Sequence, residues 1–239
     1  MFFGVNNLMN SFNVTTGALS LFSLATFLGA NPAQALVNGS FETGDFTNWE
    51  TIGNTSIQTS SFGSGPTKGD FQALLFNAQP TAFDLSIEFF LGLPFGSLDG
   101  LGNGNATTGS AIKQTFTAQA GDTLTFDWNF LTDEATPTVF NDFAFVSIAG
   151  VDTLADTSSE FVSSLTPFVE ETEFNNFSFT FENTGTYTLG LGVTNSVDTV
   201  VNSGLLVDNV NLASVPEPAS ILGVLAALIT GSLFKYKQK

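Results

Sequence analysis

An alternation of apolar and polar side chains with a period of two runs through the middle of this chain and limits what it can fold into. Leu124, Phe126, Trp128 and Phe130 are each separated by one polar residue. Because successive side chains of a β-strand point to opposite faces, this pattern predicts a strand with one face turned to a core. A helix would need apolar residues every three or four positions.

Further segments show the pattern of strands, and turn signals separate them. The predicted strands cover residues 71–76, 111–117, 143–148, 176–181, 187–194 and 205–212. Gly-containing turn signals occupy 120–122, 183–185 and 202–204. Many short strands with this spacing predict an all-β fold, an antiparallel jelly-roll β-sandwich. The sequence predicts no helix outside the two ends of the chain, and the Gly-rich stretch 91–104 is expected to be a functional or mobile loop.

The composition excludes several kinds of chemistry. The chain has a net charge of −17, no His and no Cys, and its five basic residues are all Lys. Ser-His or Cys-His nucleophile pairs, zinc sites with imidazole or thiolate ligands, and guanidinium clamps are therefore excluded. Residues 36–215 carry 21 acids and two lysines, a net charge of −19. Such a charge repels nucleic acid and attracts cations, above all hard ones such as calcium.

An enzyme of this composition would have to use carboxylates. A glycosidase or lyase with a carboxylate pair is the natural option, and Asp133 with Glu134 is one candidate pair. The surrounding residues carry no recognised catalytic signature. We therefore expect the protein to be noncatalytic.

The N-terminus has the features of a signal peptide. Residues 17–30 form an apolar run, and Ala33-Gln34-Ala35 provides a small-x-small cleavage site, which predicts a signal peptide over residues 1–35. Residues 1–34 contain no Lys or Arg, so only the α-amino group supplies positive charge. A buried N-terminal helix is the alternative.

The C-terminal segment begins with two prolines that interrupt regular structure and ends with lysine residues. Pro216, Glu217 and Pro218 interrupt regular structure, and residues 219–234 then form an uncharged run of 16 residues. As a helix this run would be about 24 Å long, somewhat short of a hydrocarbon core of about 30 Å. The terminal lysines can snorkel to the interface, and the basic end is expected to stay cytoplasmic.

This C-terminal order resembles the PEP-CTERM sorting signal over residues 214–239. The resemblance implies recognition by an exosortase-type processing enzyme and cleavage near Pro216, Glu217 and Pro218. The protein would first be anchored in the inner membrane by the C-terminal helix, and then reach the cell envelope, the surface or the extracellular matrix. A plain single-span membrane anchor is the alternative.

Three short segments of the central region resemble galactose-binding-like jelly rolls, the fold of many carbohydrate-binding modules. Residues 36–49 read LVNGSFETGDFTNW, residues 68–74 read KGDFQAL, and residues 204–210 read GLLVDNV. The resemblance covers residues 36–213. It implies polysaccharide binding and a structural calcium ion held by Glu42 and Asp208.

The strand pattern gives separate support for a metal at Asp208. Leu206, Asp208 and Val210 share one face of the last strand, and if this face meets the core the carboxylate is buried. A buried carboxylate must be paired, bound to a metal or protonated, and few lysines are present to pair it. The alternative is the opposite register, with Leu205 and Val207 in the core and Asp208 solvated.

A second acidic group consists of Asp133 and Glu134 together with Asn141 and Asp142. These residues flank a predicted loop between two strands. They could hold another calcium ion, because carboxylate and amide oxygens are suitable calcium ligands. A solvated charged loop is the alternative.

The aromatic residues indicate a core more than a sugar-binding surface. Trp128 and Tyr187 share their strand faces with aliphatic or Phe side chains, and Trp49 matches a position that is usually structural in the family. One strand face is unusual because it combines threonines with glycines, and glycines inside a strand mark close approach of a backbone or ligand. We predict a possible ligand face there; it comprises Thr186, Thr188, Gly190, Gly192 and Thr194. An ordinary polar outer face is the alternative.

The sequence thus predicts an exported, noncatalytic surface or matrix protein that binds polysaccharide and carries a structural calcium ion. The alternative is a structural matrix protein that is assembled by calcium, has protein partners and has no glycan specificity.

Overall fold

The computed structural model describes residues 35–215, which fold into two antiparallel β-sheets with one short α-helix. The predicted signal peptide and the predicted sorting segment, including Pro216, Glu217 and Pro218, lie outside the described residues. Within residues 35–215, none of the helices has the length and apolar character needed to cross a membrane.

Within residues 35–215, thirteen strands make up the two sheets. In chain order they are β1 (Glu50–Ile52), β2 (Asn54–Gln58), β3 (Gln72–Phe76), β4 (Ala82–Phe83), β5 (Ala106–Ala118), β6 (Thr123–Thr132), β7 (Phe143–Ser147), β8 (Val151–Asp156), β9 (Val162–Ser163), β10 (Glu170–Glu171), β11 (Asn175–Thr180), β12 (Gly185–Ser196) and β13 (Ser203–Ala213). The first sheet has the order β1-β5-β12-β7-β8, and β4 also pairs with β5. The second sheet has the order β2-β3-β13-β6-β10-β9, and β11 also pairs with β6. The predicted antiparallel β-sandwich is therefore confirmed.

The main core lies between the two sheets and consists mostly of Phe and aliphatic side chains. Leu124, Phe126 and Phe130 of β6 are completely buried in it, as the two-residue alternation predicts. Leu189 and Leu191 of β12 face them from the first sheet. A dry core rich in Phe is expected, because Phe has no polar group that needs a partner.

The prediction that no helix lies outside the ends is wrong. Residues Asp84–Leu91 form α1, and Ser60–Phe62 form a short 3₁₀ helix. Helix α1 ends at Gly92, which has a φ of 73° and donates its N–H to the carbonyls of Glu88 and Phe89. Glycine is the residue that adopts this left-handed conformation most easily, and it commonly ends helices.

Helix α1 covers part of the outer face of the first sheet. Ile87 and Leu91 on its buried side pack with Leu98 from the following loop and with Phe143 and Phe145 of β7. This second hydrophobic cluster is separate from the sandwich core. The stretch after α1, predicted to be a loop, contains no strand or helix from residue 93 to residue 105, but Leu98 anchors it in this cluster.

Candidate functional site

Asp208 lies on the outer face of the second sheet and is nevertheless completely buried. Leu205 and Val207 point into the sandwich core, so the register that turned Asp208 to the core is wrong. The expectation that this register would leave Asp208 solvated is also wrong, because the loop at Thr67 and Lys68 covers it. Asp208 Oδ2 accepts hydrogen bonds from the Lys68 amide at 2.8 Å and from Thr67 Oγ1 at 3.2 Å.

A β-bulge after Asp208 explains why Asp208 and Val210 do not share one face, as the simple alternation predicted. The pairing of β13 with β6 shifts between Asp208 and Asn211, and Asn209 has a φ of 52°. One extra residue at a bulge changes which side chains point inward. As a result Val210 returns to the core although Asp208, two residues earlier, faces outward.

Glu42 holds the same loop from the other side. Its Oε1 accepts hydrogen bonds from the amides of Asp70 at 3.0 Å and Phe71 at 3.1 Å. The structure therefore brings the two predicted metal ligands, Glu42 and Asp208, to one segment, residues 67–71. A Cβ atom on Gly69 would overlap the Glu42 carboxylate, so the close approach of Glu42 to this loop requires a glycine here.

Asp127 is a third carboxylate at this place and was not predicted from the sequence. It lies directly opposite Asp208 on β6, and its Oδ2 accepts from Thr67 Oγ1 at 2.7 Å and from Asn209 Nδ2 at 3.1 Å. Burial raises the pKa of Asp127, but hydrogen bonds from Asn176, Thr67 and Asn209 outweigh burial and the net pKa is lowered. Asp127 is one of the polar residues that alternate with apolar residues in β6, and this pattern indicated only that it lies on a solvated outer face.

The oxygen-rich surroundings of Glu42 and Asp208 fit a hard cation. Burial raises the pKa of the Asp208 carboxyl, and hydrogen bonds from Lys68, Asn209 and Thr67 only partly oppose this. Within residues 35–215 the one salt bridge joins Lys113 and Glu50, so no ammonium group pairs with Asp208. The same residues contain no group of three or more acidic side chains close enough to hold a metal ion by themselves. Backbone carbonyls of the 67–71 loop would have to complete a calcium site.

The possible ligand face on β12 is covered over half of its length. Cβ atoms on Gly190 and Gly192 would overlap Leu91 of α1 and the ring of Phe145, respectively. These glycines therefore allow close packing by the chain itself, and Thr194 is completely buried. Thr186 is exposed and Thr188 is half-buried, so only this end of the predicted face is accessible. Thr188 contacts Thr115 of β5 through their hydroxyls at 2.9 Å.

Exposed phenyl rings lie on and beside helix α1, and they were not predicted from the sequence. Phe83 just before α1 is 70% exposed, Phe89 on its outer side is 86% exposed, and Phe95 in the loop after it is 80% exposed. Leu85, one turn before Phe89, is also exposed. The surface formed by Phe83, Leu85, Phe89 and Phe95 is called the phenyl surface below. No helix was predicted in this segment, so the sequence pattern could not indicate which of its side chains are exposed.

A buried carboxylate fixes the loop that carries Phe95. Glu88 of α1 is 1% exposed, and it accepts hydrogen bonds from the amides of Gly96 at 2.9 Å and Leu98 at 2.9 Å. Hydrogen bonds from backbone amides to an ionised carboxylate are stronger than neutral ones. The loop is therefore tied to the helix on both sides of Ser97.

The two tryptophans and Tyr187 belong to the sandwich, as predicted. Trp49 is buried and donates its indole N–H to the Asn38 carbonyl at 3.1 Å. Trp128 and Tyr187 are half-buried and pack against the main core. Tyr187 donates its hydroxyl to the Asn183 carbonyl at 2.7 Å. None of the three presents a free aromatic face comparable with the phenyl surface.

The residues of the second acidic group differ in burial and in hydrogen-bond partners. Asp133 is half-buried and accepts a hydrogen bond from the Val169 amide at 3.0 Å. Glu134 and Asp142 are buried, so the prediction of a solvated loop is wrong for these two residues. Asn141 is buried too, and it donates to Asp156 at 3.0 Å.

An open cleft lies near this end of the sandwich. It has a volume of about 240 Å³ and is lined by polar residues together with Pro137 and Phe161. Ligand pockets are generally larger than about 300 Å³ and mostly apolar. The cleft is therefore a weaker candidate for a ligand site than the phenyl surface.

Comparisons with known proteins give structural neighbours only. No protein-family model matches the chain. No curated protein matches it. Among solved structures, TmCBM61 in complex with β-1,4-galactotriose is 14% identical, with 76% of this chain and 99% of that chain covered and a TM-score of 0.43. A Caldicellulosiruptor saccharolyticus module, CBM27-1 in complex with mannohexaose, is 11% identical, with 74% and 94% covered and a TM-score of 0.43.

A third neighbour is an adhesin domain. The cleaved adhesin domain of Lys-gingipain from Porphyromonas gingivalis is 14% identical, with 74% of this chain and 96% of that chain covered and a TM-score of 0.43. The structural neighbours thus include carbohydrate-binding modules. Because all three TM-scores lie below 0.5, the architecture of this chain rests on its own strand pairing and its candidate sites on their own geometry.

Proposed function

We propose that this protein is an exported, noncatalytic, glycan-binding protein of the cell surface or extracellular matrix. The phenyl surface carries the proposal. Three phenyl rings that are each at least 70% exposed, Phe83, Phe89 and Phe95, occur within 13 residues of chain. Large apolar side chains that are exposed together in one short segment are typical of an interaction site in soluble domains.

The chemistry of the rings favours a sugar as their ligand. A phenyl face is flat, apolar and negative at its centre, and it therefore accepts the polarised C–H groups on one face of a pyranose ring. Thr186, which is exposed, and Thr188, which is half-buried, can supply hydroxyl groups on the outer face of the first sheet. The net charge of −19 in residues 36–215 disfavours polyanions, so we propose a neutral polysaccharide.

The phenyl surface is held in place before any ligand binds. Ile87 and Leu91 fix α1 on the sheet, and Glu88 fixes the loop that carries Phe95. Lys113 lies 4.4 Å from the centre of the Phe90 ring and donates to the Phe90 carbonyl at 2.7 Å. Groups that are already ordered lose less conformational entropy on binding, which favours affinity.

A structural calcium ion at Glu42 and Asp208 is part of the proposal. The buried Asp208 carboxylate, the convergence of both carboxylates on residues 67–71 and the resemblance of this region to galactose-binding-like jelly rolls support it. Calcium would neutralise charge that no lysine side chain pairs. Because Glu42 lies before the first strand and Asp208 on the last, the ion would tie both ends of the domain together.

Export and surface location rest on the two ends of the sequence. Residues 1–35 have the features of a signal peptide, and residues 214–239 resemble a PEP-CTERM sorting signal. We propose an exosortase-type enzyme as the processing partner and membrane attachment through the C-terminal helix before processing. Nucleic acid is not proposed as a partner because of the negative charge.

Affinity electrophoresis tests the glycan proposal directly. The purified protein is run through gels that contain neutral polysaccharides, among them the exopolysaccharide of its own host, once with calcium and once with chelator. We expect retardation in at least one neutral polysaccharide. Unchanged mobility in every gel would contradict glycan binding and would favour the structural-matrix alternative.

One observation favours that alternative, a matrix protein assembled by calcium through protein contacts. Strand β9 lies at the edge of the second sheet, and Val162, Leu165 and Val169 beside it are 45%, 77% and 63% exposed. Exposed sheet edges with apolar side chains are sites of chain association. Light scattering that rises with calcium and falls with chelator would support assembly, and constant scattering would count against it.

A further inference from the structure

The open cleft of about 240 Å³ lies at the end of the sandwich where β13 begins. Glu170 lines it and pairs with Thr132 of β6, and Thr132 pairs in turn with Ser203, the first residue of β13. Three separate parts of the chain form its walls, namely the loop 133–142, the loop 157–161 and strand β10. Because these parts are distant in sequence, the cleft exists only in the folded protein and no local pattern indicates it.

Hydrogen bonds within the chain hold the walls of the cleft in place. The Asp156 amide donates to Ser159 Oγ at 3.1 Å, and the Ser158 amide donates to Asp156 Oδ1 at 2.9 Å. Thr136 Oγ1 donates to Glu170 Oε2, which joins the loop 133–142 to β10. Groups that are ordered in advance lose less conformational entropy when a ligand binds.

The cleft presents polar groups that the protein itself does not use. Within residues 35–215, no hydrogen bond occupies Glu170 Oε1 or the Ser158 hydroxyl, and Glu170 is half-buried while Ser158 is exposed. Phe161 and Pro137 supply apolar surface next to them. The Phe161 ring packs against the main core, with its centre 6.1 Å from that of Phe130. The cleft therefore combines a carboxylate acceptor, a hydroxyl group and an aromatic ring.

These groups select a neutral ligand with several hydroxyl groups. Neither lysine of residues 35–215 lines the cleft, so a uronic acid or a phosphate would meet the Glu170 charge without a counterion. A sugar hydroxyl donates more strongly to an ionised carboxylate than to a neutral acceptor. The Phe161 ring can accept the polarised C–H groups on one face of a pyranose. The volume of the cleft lies below the range of about 300–1,000 Å³ for drug-sized ligands and fits one sugar ring.

We propose that this cleft is a second glycan site, which binds a single neutral pyranose at the end of a glycan chain. The class of ligand rests on the glycan-binding function proposed above, but the site is separate from the phenyl surface. A cleft that holds one ring selects a terminal sugar, whereas the open phenyl surface can contact sugars along a chain.

The position of the cleft suits a ligand outside the cell. Strand β13 begins at Ser203 beside the cleft and ends at Ala213, and a strand of this length spans roughly 33 Å. The Val215 amide then donates to Asp122 Oδ1 at 3.0 Å, at the other end of the sandwich. Membrane attachment through the residues that follow Val215 would leave the cleft at the far end of the domain.

Nuclear magnetic resonance locates the binding of a single sugar directly. Amide correlation spectra of the ¹⁵N-labelled protein are recorded while the methyl glycosides of glucose, galactose and mannose are added one at a time. We expect at least one of them to shift the amides of Ser158, Ser159 and Glu170, with a dissociation constant of about 1 mM for so small a ligand. The methyl glycoside of glucuronic acid should shift none of these amides.

Two variants of the cleft and one control complete the test. Glu170→Gln keeps an acceptor for Thr136 but removes the charge, and it should weaken binding about tenfold. Ser158→Leu fills the cleft from an exposed position and should abolish the shifts even if Glu170→Gln does not fold. Glu160→Gln is the control, because Glu160 is an exposed acid beside the cleft that does not line it. It should bind like the natural protein.

The proposal is overturned if no methyl glycoside shifts the cleft amides, or if Glu170→Gln and Ser158→Leu bind as tightly as the natural protein. Shifts confined to the amides around Phe89 and Phe95 would overturn it too, because the single sugar would then bind at the phenyl surface. Retardation by polysaccharide without cleft shifts would remove only the cleft site. Cleft shifts without retardation would keep this site and contradict polysaccharide binding by the phenyl surface.

Discussion

Asp127 and Asp208 lie directly opposite each other on neighbouring strands, and both accept from the hydroxyl of Thr67, at 2.7 Å and 3.2 Å. A hydroxyl has one proton, so it can donate fully to only one of them at a time. Like charges that face each other across two strands destabilise a sheet. A cation near Asp208 would reduce this repulsion, which connects the pair to the proposed calcium site.

We predict that Asp127→Asn destabilises the protein in chelator by about 0.5–1 kcal/mol at neutral pH. The lowered pKa of Asp127 means that its hydrogen bonds from Asn176, Thr67 and Asn209 favour the ionised carboxylate and outweigh the repulsion from Asp208. With calcium present the loss should grow, because an ion near Asp208 attracts the charge that the substitution removes. Urea unfolding followed by tryptophan fluorescence measures both values. An equal effect of the substitution with and without calcium would mean that no ion lies near Asp208.

Gly69 tests how tightly the 67–71 loop fits against Glu42. Its φ is 77°, and an added Cβ would overlap the Glu42 carboxylate. We expect Gly69→Ala to lower the free energy of unfolding and to weaken calcium binding. The matched control is Gly92→Ala, whose φ is 73° and whose Cβ would have no neighbour within 4 Å. Both variants bear the cost of a left-handed alanine, so the excess in Gly69→Ala, roughly 1–2 kcal/mol, measures the overlap alone. Equal losses would show that the carboxylate moves aside freely.

Stability in chelator should fall as the pH rises from about 4 to about 7. The pKa of Asp142 is raised from 3.8 to about 7 by burial, so in this range the folded state holds a proton that the unfolded state has lost. The folded state is then favoured at low pH and loses this advantage as Asp142 ionises, by at most about 1.4 kcal/mol per pH unit. The raised pKa values of Glu134 and Asp208 act in the same direction, and the lowered pKa of Asp127 acts against it.

Urea unfolding at a series of pH values measures this dependence, and Asp142→Asn should flatten it. A curve that rises steadily from pH 4 to pH 7 in chelator would mean that Asp142 stays charged in the folded state.

The strands of this fold were predictable because the alternation within each segment shows which side chains face the core. In β6 the faces of Leu124 and Phe126 follow from the alternation alone, and the structure confirms them. Two registers were open for Asp208, and the one with Leu205 and Val207 in the core is confirmed. The bulge at Asn209 brings Val210 into the core as well, and no residue pattern signals this bulge. The burial of Asp208 depends on a loop 140 residues away in the sequence. Such long-range contacts do not appear in any local pattern.

The phenyl surface was missed for a different reason. Helix α1 is only eight residues long, and its apolar residues lie on both sides, with Ile87 buried and Phe89 exposed. A short helix with apolar residues all round gives no clear period. Glycines 190 and 192 did indicate close approach correctly, but the approaching groups are Leu91 and Phe145 of the same chain.

Glu88→Gln should loosen the loop that presents Phe95 without unfolding the protein. The carboxylate accepts from the amides of Gly96 and Leu98, and an amide side chain can accept from only one of them. The unsatisfied amide should cost about 1–3 kcal/mol locally. Hydrogen exchange at the Gly96 and Leu98 amides should become faster, while exchange in β6 stays unchanged. Glu160→Gln, at an exposed acid, is the control. Unchanged exchange at both amides would show that the loop is held by Leu98 packing alone.

The glycan proposal predicts that the double variant Phe89→Ala with Phe95→Ala binds polysaccharide at least about tenfold more weakly, a loss of about 1.4 kcal/mol in binding free energy. Both rings are at least 80% exposed, so their removal should change folding stability by no more than about 0.5 kcal/mol. Affinity electrophoresis in the retarding polysaccharide gives the dissociation constant, and thermal melting checks the fold.

The matched control for these rings is Val200→Ala with Leu165→Ala, because both side chains are 77% exposed and lie outside the phenyl surface. This control should bind polysaccharide like the natural protein. If instead it weakens binding and the Phe variant does not, the ligand binds near Leu165 or Val200 and the phenyl surface has another role. If neither variant changes the retardation, exposed apolar side chains do not contribute to binding, and the polar cleft near Phe161 becomes the next candidate.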